Sequence, residues 1–267
     1  MNKIINQIVS NNAQLYSEPN ENRELETECL FGELFSVYKN FHNWTFGMLS
    51  TDNYLGWIKT SNLGDVTLAS HIVISKSTNI QKTSNIKSKV IKSLSLGSKV
   101  RIIDLEKTWS VIEFVINTKK TIGFIPSNHL SKISNFDFDW KKIGFQMLNT
   151  PYKWGGRTNQ GLDCSALLQL SFQSIGINLP RNSSEQISFM HNSKMFDHVK
   201  INQEEISGLK EGTIIFWDGH VGYMSNSRTL LHANAFHMKV EQEPVIETIK
   251  RFENDKIFVT SFFTFNY

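Results

Sequence analysis

The 267-residue sequence predicts a multidomain chain, with two small all-β barrels over residues 1–70 and 71–133 and an α+β domain over residues 134–267. Three observations predict it. Charge breaks twice along the chain: residues 1–70 carry 4 basic and 8 acidic side chains, residues 71–133 carry 11 and 3, and residues 134–267 carry 13 and 14. The first two segments also look like copies of one unit. Leu55-Gly56-Trp57-Ile58 with Leu63 parallels Ile122-Gly123-Phe124-Ile125 with Leu130. Gly32 and Trp44 fall 12 apart, as do Gly97 and Trp109, so the copies are offset by 65 to 67 residues. Beyond residue 133 helical spacing comes first and strands after, the order of an α+β domain.

In each copy the apolar residues come in short β-rich runs, such as 34–37, 100–103 and 109–115, separated by polar turns. Pro126 follows a run where a ladder could end. About 60 residues of short strands, closed by a glycine-preceded strand, suggest a small barrel, and the pattern resembles the bacterial SH3-like domain. Residues 138–148 have helical spacing and lead into the loop Pro151-Tyr152-Lys153-Trp154-Gly155-Gly156-Arg157. Asp163 then stands as an N-cap before a helix that starts at Cys164 and is expected to end near Gly176. A second short helix is expected from Ser183, where Ser183 and Gln186 have capping-box spacing. The runs 213–217, 220–224, 229–233 and 257–265 read as strands.

Composition excludes several classes. Hydrophobic residues make up 40% and charged residues 20%, a globular balance. Two cysteines, Cys29 and Cys164, give no disulfide framework and no zinc spacing. A net charge of +3 is too mild to imply nucleic acid. No apolar run approaches the roughly 18 residues of a membrane helix. The N-terminal segment lacks the apolar stretch of a signal peptide, so a cytoplasmic protein is expected. Lys82, Lys87, Lys89, Lys92 and Lys99 could face an anionic polymer or a lipid surface. A solvated lysine-rich barrel face is the preferred reading, since no aromatic residues interleave them.

Cys164 carries the chemistry. In the first turn of a helix, free N–H groups and the macrodipole favour a thiolate, while the adjacent Asp163 pushes the other way. A lone cysteine is more often a small buried hydrophobe, and Cys29, beside Leu30 and Phe31, fits that description. A histidine pair separates Cys164 from it. His220 and His232 lie six residues to each side of Asn226, so a hairpin about that turn makes them cross-strand neighbours. One imidazole can then take the thiol proton while the other orients it. Two structural histidines are the alternative; a metal site is disfavoured because no third ligand of suitable spacing is visible.

Pro151-Tyr152-Lys153-Trp154-Gly155-Gly156, Leu162-Asp163-Cys164-Ser165, Pro180-Arg181-Asn182-Ser183, Gly219-His220-Val221-Gly222 and Leu231-His232-Ala233-Asn234 occur in that order. Over residues 145–240 this series resembles the NlpC-type family of papain-like cell-wall cysteine peptidases. With two SH3-like domains in front, it is similar to the branch that acts as γ-D-glutamyl-L-diamino acid endopeptidase on peptidoglycan stem peptides. The resemblance implies an α+β papain-like cysteine peptidase domain with Cys164 as nucleophile, His220 as general base and His232 as orienting third member. Tyr152 would donate to the oxyanion beside the Cys164 N–H, and Trp154 would line the substrate, although loop packing also accounts for both aromatics.

Asp163 and Ser165 flank the nucleophile as substrate-binding residues, and Asp163 would help bind the free α-amine of the substrate's L-Ala, a charge that a sugar-blocked peptide cannot supply. Tyr54 and Glu33 of the first barrel would complete that pocket. Ser183 would contact the γ-D-Glu carboxylate, a helix N-cap being the other reading. One departure is Ala166, where the family usually has glycine. It adds a methyl group and removes no catalytic group. The implied function is hydrolysis of free stem peptides in murein peptide recycling. No metal or organic cofactor is expected, and the partners are peptidoglycan-derived peptides, with no nucleic acid, membrane or protein partner. The alternatives are an exported hydrolase of assembled wall, or a binding protein for wall fragments or anionic polymers with an idle peptidase domain.

Overall fold

The computed structural model describes residues 4–116, 119–135, 138–201, 206 and 208–266, so the first three residues of the N-terminal segment lie outside it. Seven strands between Ile4 and Gly64 form one antiparallel sheet. By position in the chain its order is third, second, sixth, fifth, fourth, first, seventh. Seven strands between His71 and Lys132 form a second sheet in the same order. The repeat is therefore one fold used twice. The buried residues Ile8, Leu15 and Phe35 recur 65 residues on as Val73, Ile80 and Val100, and Ile58 recurs 67 on as Ile125. Gly32 and Gly97 occupy the same turn, with φ of 82° and 86°, a region where a side chain is strained.

Phe31 belongs to the first copy, yet its ring sits in the core of the second, edge-on to Phe114 at 6.2 Å. The Lys99 N–H donates to the Phe31 carbonyl at 2.8 Å. Two of the five lysines considered as a binding face lie at this junction. Lys92 reaches over the Phe31 ring, and burial lowers the pKa of Lys99, which stands near Glu33. Of the five, Lys82, Lys87 and Lys89 are exposed, while Lys92 and Lys99 are partly buried.

Among the described residues the third segment has four α-helices, α1 (Trp140–Phe145), α2 (Cys164–Gln173), α3 (Ser183–Asn192) and α4 (Val245–Asn254). They pack around a six-stranded antiparallel sheet. Its strands run in the order Phe196–Val199, Val259–Phe265, Ile214–Trp217, His220–Met224, Thr229–Asn234, Lys239–Pro244. All ten residues of α2 are buried, so it is a central helix and not an amphipathic surface one. It packs against the strands that carry the two histidines. The helix expected over 138–148 stops at Phe145. The strand Lys239–Pro244 and α4 were not expected. Pro244 opens α4, and Val245, Thr248 and Ile249 bury one face of it.

The first barrel is joined to the third segment by buried charge. Arg157 is fully buried and donates to both carboxylate oxygens of Glu33, at 3.1 and 3.2 Å, and to the Glu28 carbonyl at 3.0 Å. Lys153 pairs with Glu28, which is also fully buried, and Arg181 donates to the Thr27 hydroxyl at 2.7 Å. Cys29 is buried in the same layer, and desolvation raises its pKa well above that of a free thiol.

Candidate active site

Asp163 caps α2, accepting the Ala166 N–H at 2.9 Å, and so sets Cys164 as the first helical residue. The N–H groups of Val221 and Ser165 point at the sulfur. Cys164 is only 8% exposed. Burial, with Asp163 beside it, pushes the thiol up to about 12, against the opposing pull of those N–H groups and of Arg181. The stabilisation expected from the helix N-terminus is present and is outweighed. The resting sulfur is a thiol, and attack requires a base that takes its proton as the new bond forms.

That base is held by a close backbone approach. The strands His220–Met224 and Thr229–Asn234 pair with Tyr223 opposite Leu231 and Met224 opposite Leu230. Carried along the ladder, this register sets His232 opposite Gly222, not opposite His220 as symmetry about Asn226 implied. A Cβ on Gly222 would stand 2.9 Å from the His232 Cβ, so the glycine leaves the space that His232 crosses. The imidazoles meet diagonally on one face, His220 Nε2 to His232 Nδ1 at 2.7 Å, leaving Nδ1 of His220 as its free ring nitrogen. Both rings are buried. Desolvation, then His232 and Arg251, hold His220 well below the ordinary histidine range. His232 is also lowered by burial, against the opposing effect of Glu243.

Beyond His232 the line continues. His232 Nε2 lies 2.7 Å from Glu243 Oε1, and Arg251 on α4 grips the same carboxylate with both terminal nitrogens, at 2.7 and 2.5 Å. Asn234 Nδ2 also approaches Nε2, at 3.0 Å, its amide oriented by accepting the His237 N–H at 2.8 Å.

On the other side of Cys164 the first barrel meets the N-terminus of α2. Asp163 accepts from Arg181 at 3.0 and 2.5 Å, from the Gly155 N–H at 3.0 Å and from the Ser165 hydroxyl at 3.2 Å. Arg181 also donates to Ser165 Oγ at 2.7 Å. The charge of Asp163 is therefore met within the protein. Tyr54 donates to Glu26 Oε2 at 2.6 Å, and the Asn182 side chain reaches the same hydroxyl. Burial and Glu26 push the Tyr54 phenol up to about 12.

Glu33 does not join this group. It is fully exhausted by Arg157 and by the Leu30 N–H at 2.7 Å, and is 0% exposed, so its expected contact with substrate does not hold. The carboxylate beside Tyr54 is Glu26, which is half-buried and, among the described residues, has no cation within ion-pair distance. Tyr152 stands in the field of Cys164 and Asp163. Burial, with Cys164 and Asp163 beside it, pushes its phenol up to about 12, so it stays a donor. Trp154 is 67% exposed on the loop above the barrel junction. Ser183 is the first residue of α3, and capping falls one residue earlier than its spacing implied, with the Asn182 N–H donating to Glu185 at 3.4 Å. Among the described residues no group of three or more His, Cys, Asp or Glu side chains is arranged to hold a metal ion.

Glu26, Asn182, Glu243 and Arg251 were not singled out from the sequence. Glu243 and Arg251 had a usable signal, Pro244 followed by apolar residues at helical spacing. Glu26 had none, since 28 residues separate it from Tyr54.

A thiol at the head of a buried helix, packed on the sheet strands that carry an imidazole pair, fits an α+β domain of the cysteine acyl-transfer class. Residues 149–252 match the NlpC/P60 family, and residues 15–63 match the bacterial dipeptidyl-peptidase SH3 domain. The chain thus carries an NlpC/P60 domain behind bacterial SH3-like barrels. It is 23% identical over 247 residues to a dipeptidyl-peptidase 6 of Lysinibacillus sphaericus, covering 85% of this chain and 86% of that one. It is 29% identical over 168 residues to a probable endopeptidase NlpC homolog of Haemophilus influenzae, covering 62% of this chain and 72% of the relative. A crystal structure of an NlpC/P60 family protein from Bacillus cereus has the same fold. It superposes with a TM-score of 0.74 at 18% identity, over 91% of this chain and 94% of that one.

Proposed function

We propose that the protein is a cysteine endopeptidase that hydrolyses the γ-D-Glu–diamino acid bond of free peptidoglycan stem peptides carrying an unblocked N-terminal L-Ala. The observation that carries this reading is the group Tyr54, Glu26 and Asn182 beside the head of α2. Glu26 is a half-buried carboxylate without a cation of its own, and a peptide's free amine supplies one. An acylated amine leaves that carboxylate without a cation, a cost of about 1–3 kcal/mol, which corresponds to about five-fold to 150-fold in affinity. Discrimination of this kind suits released peptides better than stems still joined to sugar. The same reading puts the enzyme in the cytoplasm, in murein peptide recycling.

The chemistry is acyl transfer. Sulfur attacks the γ-carbonyl carbon as the thiol proton passes to Nδ1 of His220. The oxyanion takes hydrogen bonds from the Cys164 N–H and the Tyr152 hydroxyl. Collapse breaks the C–N bond, and the leaving amine takes the proton from His220. Water, deprotonated by the same imidazole, then hydrolyses the thioester.

Mass spectrometry of two tripeptides tests the proposal. They are L-Ala-γ-D-Glu-meso-diaminopimelate and its N-acetyl form, each incubated with the wild type and with Cys164→Ala. Cleavage of the free peptide only, lost in the variant, is expected. Equal cleavage of both overturns the amine pocket and favours an enzyme of assembled wall. Cleavage of neither overturns the substrate assignment.

A further inference from the structure

We propose that Glu243 and Arg251 are positioning residues that fix the proton arrangement of the histidine pair, so that the working unit is Cys164–His220–His232–Glu243–Arg251. This rests on Cys164 and His220 being nucleophile and base, but not on the identity of the substrate. The geometry is a continuous line of short contacts: His220 to His232 at 2.7 Å, His232 to Glu243 at 2.7 Å, and Glu243 to Arg251 at 2.7 and 2.5 Å.

Proton positions along this line follow from its far end. Arg251 only donates, so Glu243 must accept from it through both oxygens. Burial works to raise the Glu243 pKa and is outweighed by Arg251 and His232, which hold the carboxyl far below its ordinary range. A carboxylate obliges His232 to carry its proton on Nε2. Asn234 Nδ2 competes for the same nitrogen from 3.0 Å, and the charged, two-pronged Arg251–Glu243 pair prevails. With Nε2 protonated, Nδ1 of His232 is an acceptor, so His220 carries its proton on Nε2. The lone pair of His220 is then on Nδ1, the nitrogen left for the thiol. One guanidinium on α4 thus sets the tautomer of a base through two intervening side chains.

The charged groups around this unit are few. His220 is flanked by the rings of Trp217 and Phe252 at 5.7 and 5.1 Å, and it feels Arg251 and Glu243. His237 Nδ1 approaches Glu243 to 3.9 Å from the turn before the last sheet strand, and Asp255 acts on Arg251. Arg251 also lies over the Phe236 ring at 4.2 Å. A neutral residue at 243 removes negative charge from the imidazoles, and a neutral residue at 251 removes positive charge. The two changes therefore act on the basicity of His220 with opposite sign.

The test is the pH profile of Cys164 alkylation by iodoacetamide, read on the Cys164 peptide by mass spectrometry, for wild type, Glu243→Gln and Arg251→Gln. Glu243→Gln is expected to move the acid limb to lower pH. It should also slow the plateau about 100-fold, because glutamine has one accepting oxygen for the three N–H groups that meet Glu243, so its amide nitrogen must face a donor and the proton on His232 Nε2 is no longer held. Arg251→Gln is expected to move the limb to higher pH with a smaller loss. Limbs that stay at the wild-type position, or that move in the same direction, overturn the proposal. Either variant alone decides by the sign of its shift if the other does not fold. If His220→Ala leaves wild-type alkylation unchanged, the nucleophile–base assignment itself is overturned, and this inference with it.

Discussion

Replacing Arg157 with methionine isolates what holds the first barrel on the peptidase domain. The side chain is wholly buried and supplies three hydrogen bonds to Glu33 and Glu28. Its loss leaves the Glu33 carboxylate, also wholly buried, with the Leu30 N–H as its remaining close partner. Breaking one side of such a pair costs about 3–5 kcal/mol. For a chain of this size that is roughly 6–20 °C in Tm, at about 2–4 °C per kcal/mol. The pH dependence has a defined sign. In the wild type, burial raises the Glu33 pKa, but Arg157, Lys99 and the Leu30 N–H outweigh it, and the carboxyl titrates below its ordinary value of 4.5. That stabilisation is present above pH 4.5 and is lost as pH falls through the folded-state value. In Arg157→Met burial acts with one fewer counter-charge, the folded pKa moves above the unfolded one, and the penalty grows as pH rises. The gap to wild type is therefore widest near pH 7.5 and closes towards pH 4. Urea unfolding at both pH values measures it, and Arg157→Met/Glu33→Leu should recover most of the loss at neutral pH. A gap under about 1 kcal/mol at pH 7.5, or a double variant no better than the single one, would refute the assignment of this pair as the fastening.

Three further outcomes are expected. Gly222→Ala places a Cβ 2.9 Å from that of His232 and should lower kcat about 10–100-fold, with KM nearly constant, in steady-state assays on the tripeptide. Tyr54→Phe removes the hydroxyl bonded to Glu26. It should lower kcat/KM for the free-amine peptide about ten-fold while the rate of Cys164 alkylation stays that of wild type. The acid limb of kcat/KM should lie below pH 6.5, because burial, His232 and Arg251 keep His220 neutral beneath the ordinary histidine value. A limb at or above 6.5 would contradict that account.

What could be read from the sequence was whatever has a local cause. The N-cap at Asp163, the helix it starts, and the double barrel all rest on short-range patterns, and the recurrence of core residues at 65 and 67 positions follows from the repeat. The histidine pair was also legible, but not its register. Symmetry about Asn226 made the rings directly opposite, whereas the ladder is displaced so that a glycine faces His232. Glu33 was misassigned because an acid on the first barrel looks the same in sequence whether it faces solvent, a cleft or an arginine from 124 residues away. Only packing separates Glu33 from Glu26. The thiol differed for a similar reason: the helix terminus is local, and the burial that outweighs it is not.

The charge asymmetry that first divided the chain has its explanation in the same contacts. Of the 8 acidic residues in the first barrel, Glu26, Glu28, Glu33 and Asp52 line its junction with the peptidase domain. Arg157, Lys153 and Arg181 meet that side from the other domain. In the second barrel Ser98 follows Gly97 where Glu33 follows Gly32, and Thr121 precedes the glycine-centred strand where Tyr54 precedes its own. Two barrels of one topology thus differ at positions where the first one meets the third segment, Glu33 through Arg157 and Tyr54 through Asn182. A surface selected for a soluble partner would leave its acids exposed to that partner. Here Glu28 and Glu33 are wholly buried and Glu26 is tied to a tyrosine, so the acidic excess belongs to domain assembly. On the proposed reading the first barrel supplies the amine-binding end of the site, and removing it should abolish recognition of the peptide amine while leaving the Cys164–His220–His232 geometry to be set by the third segment itself.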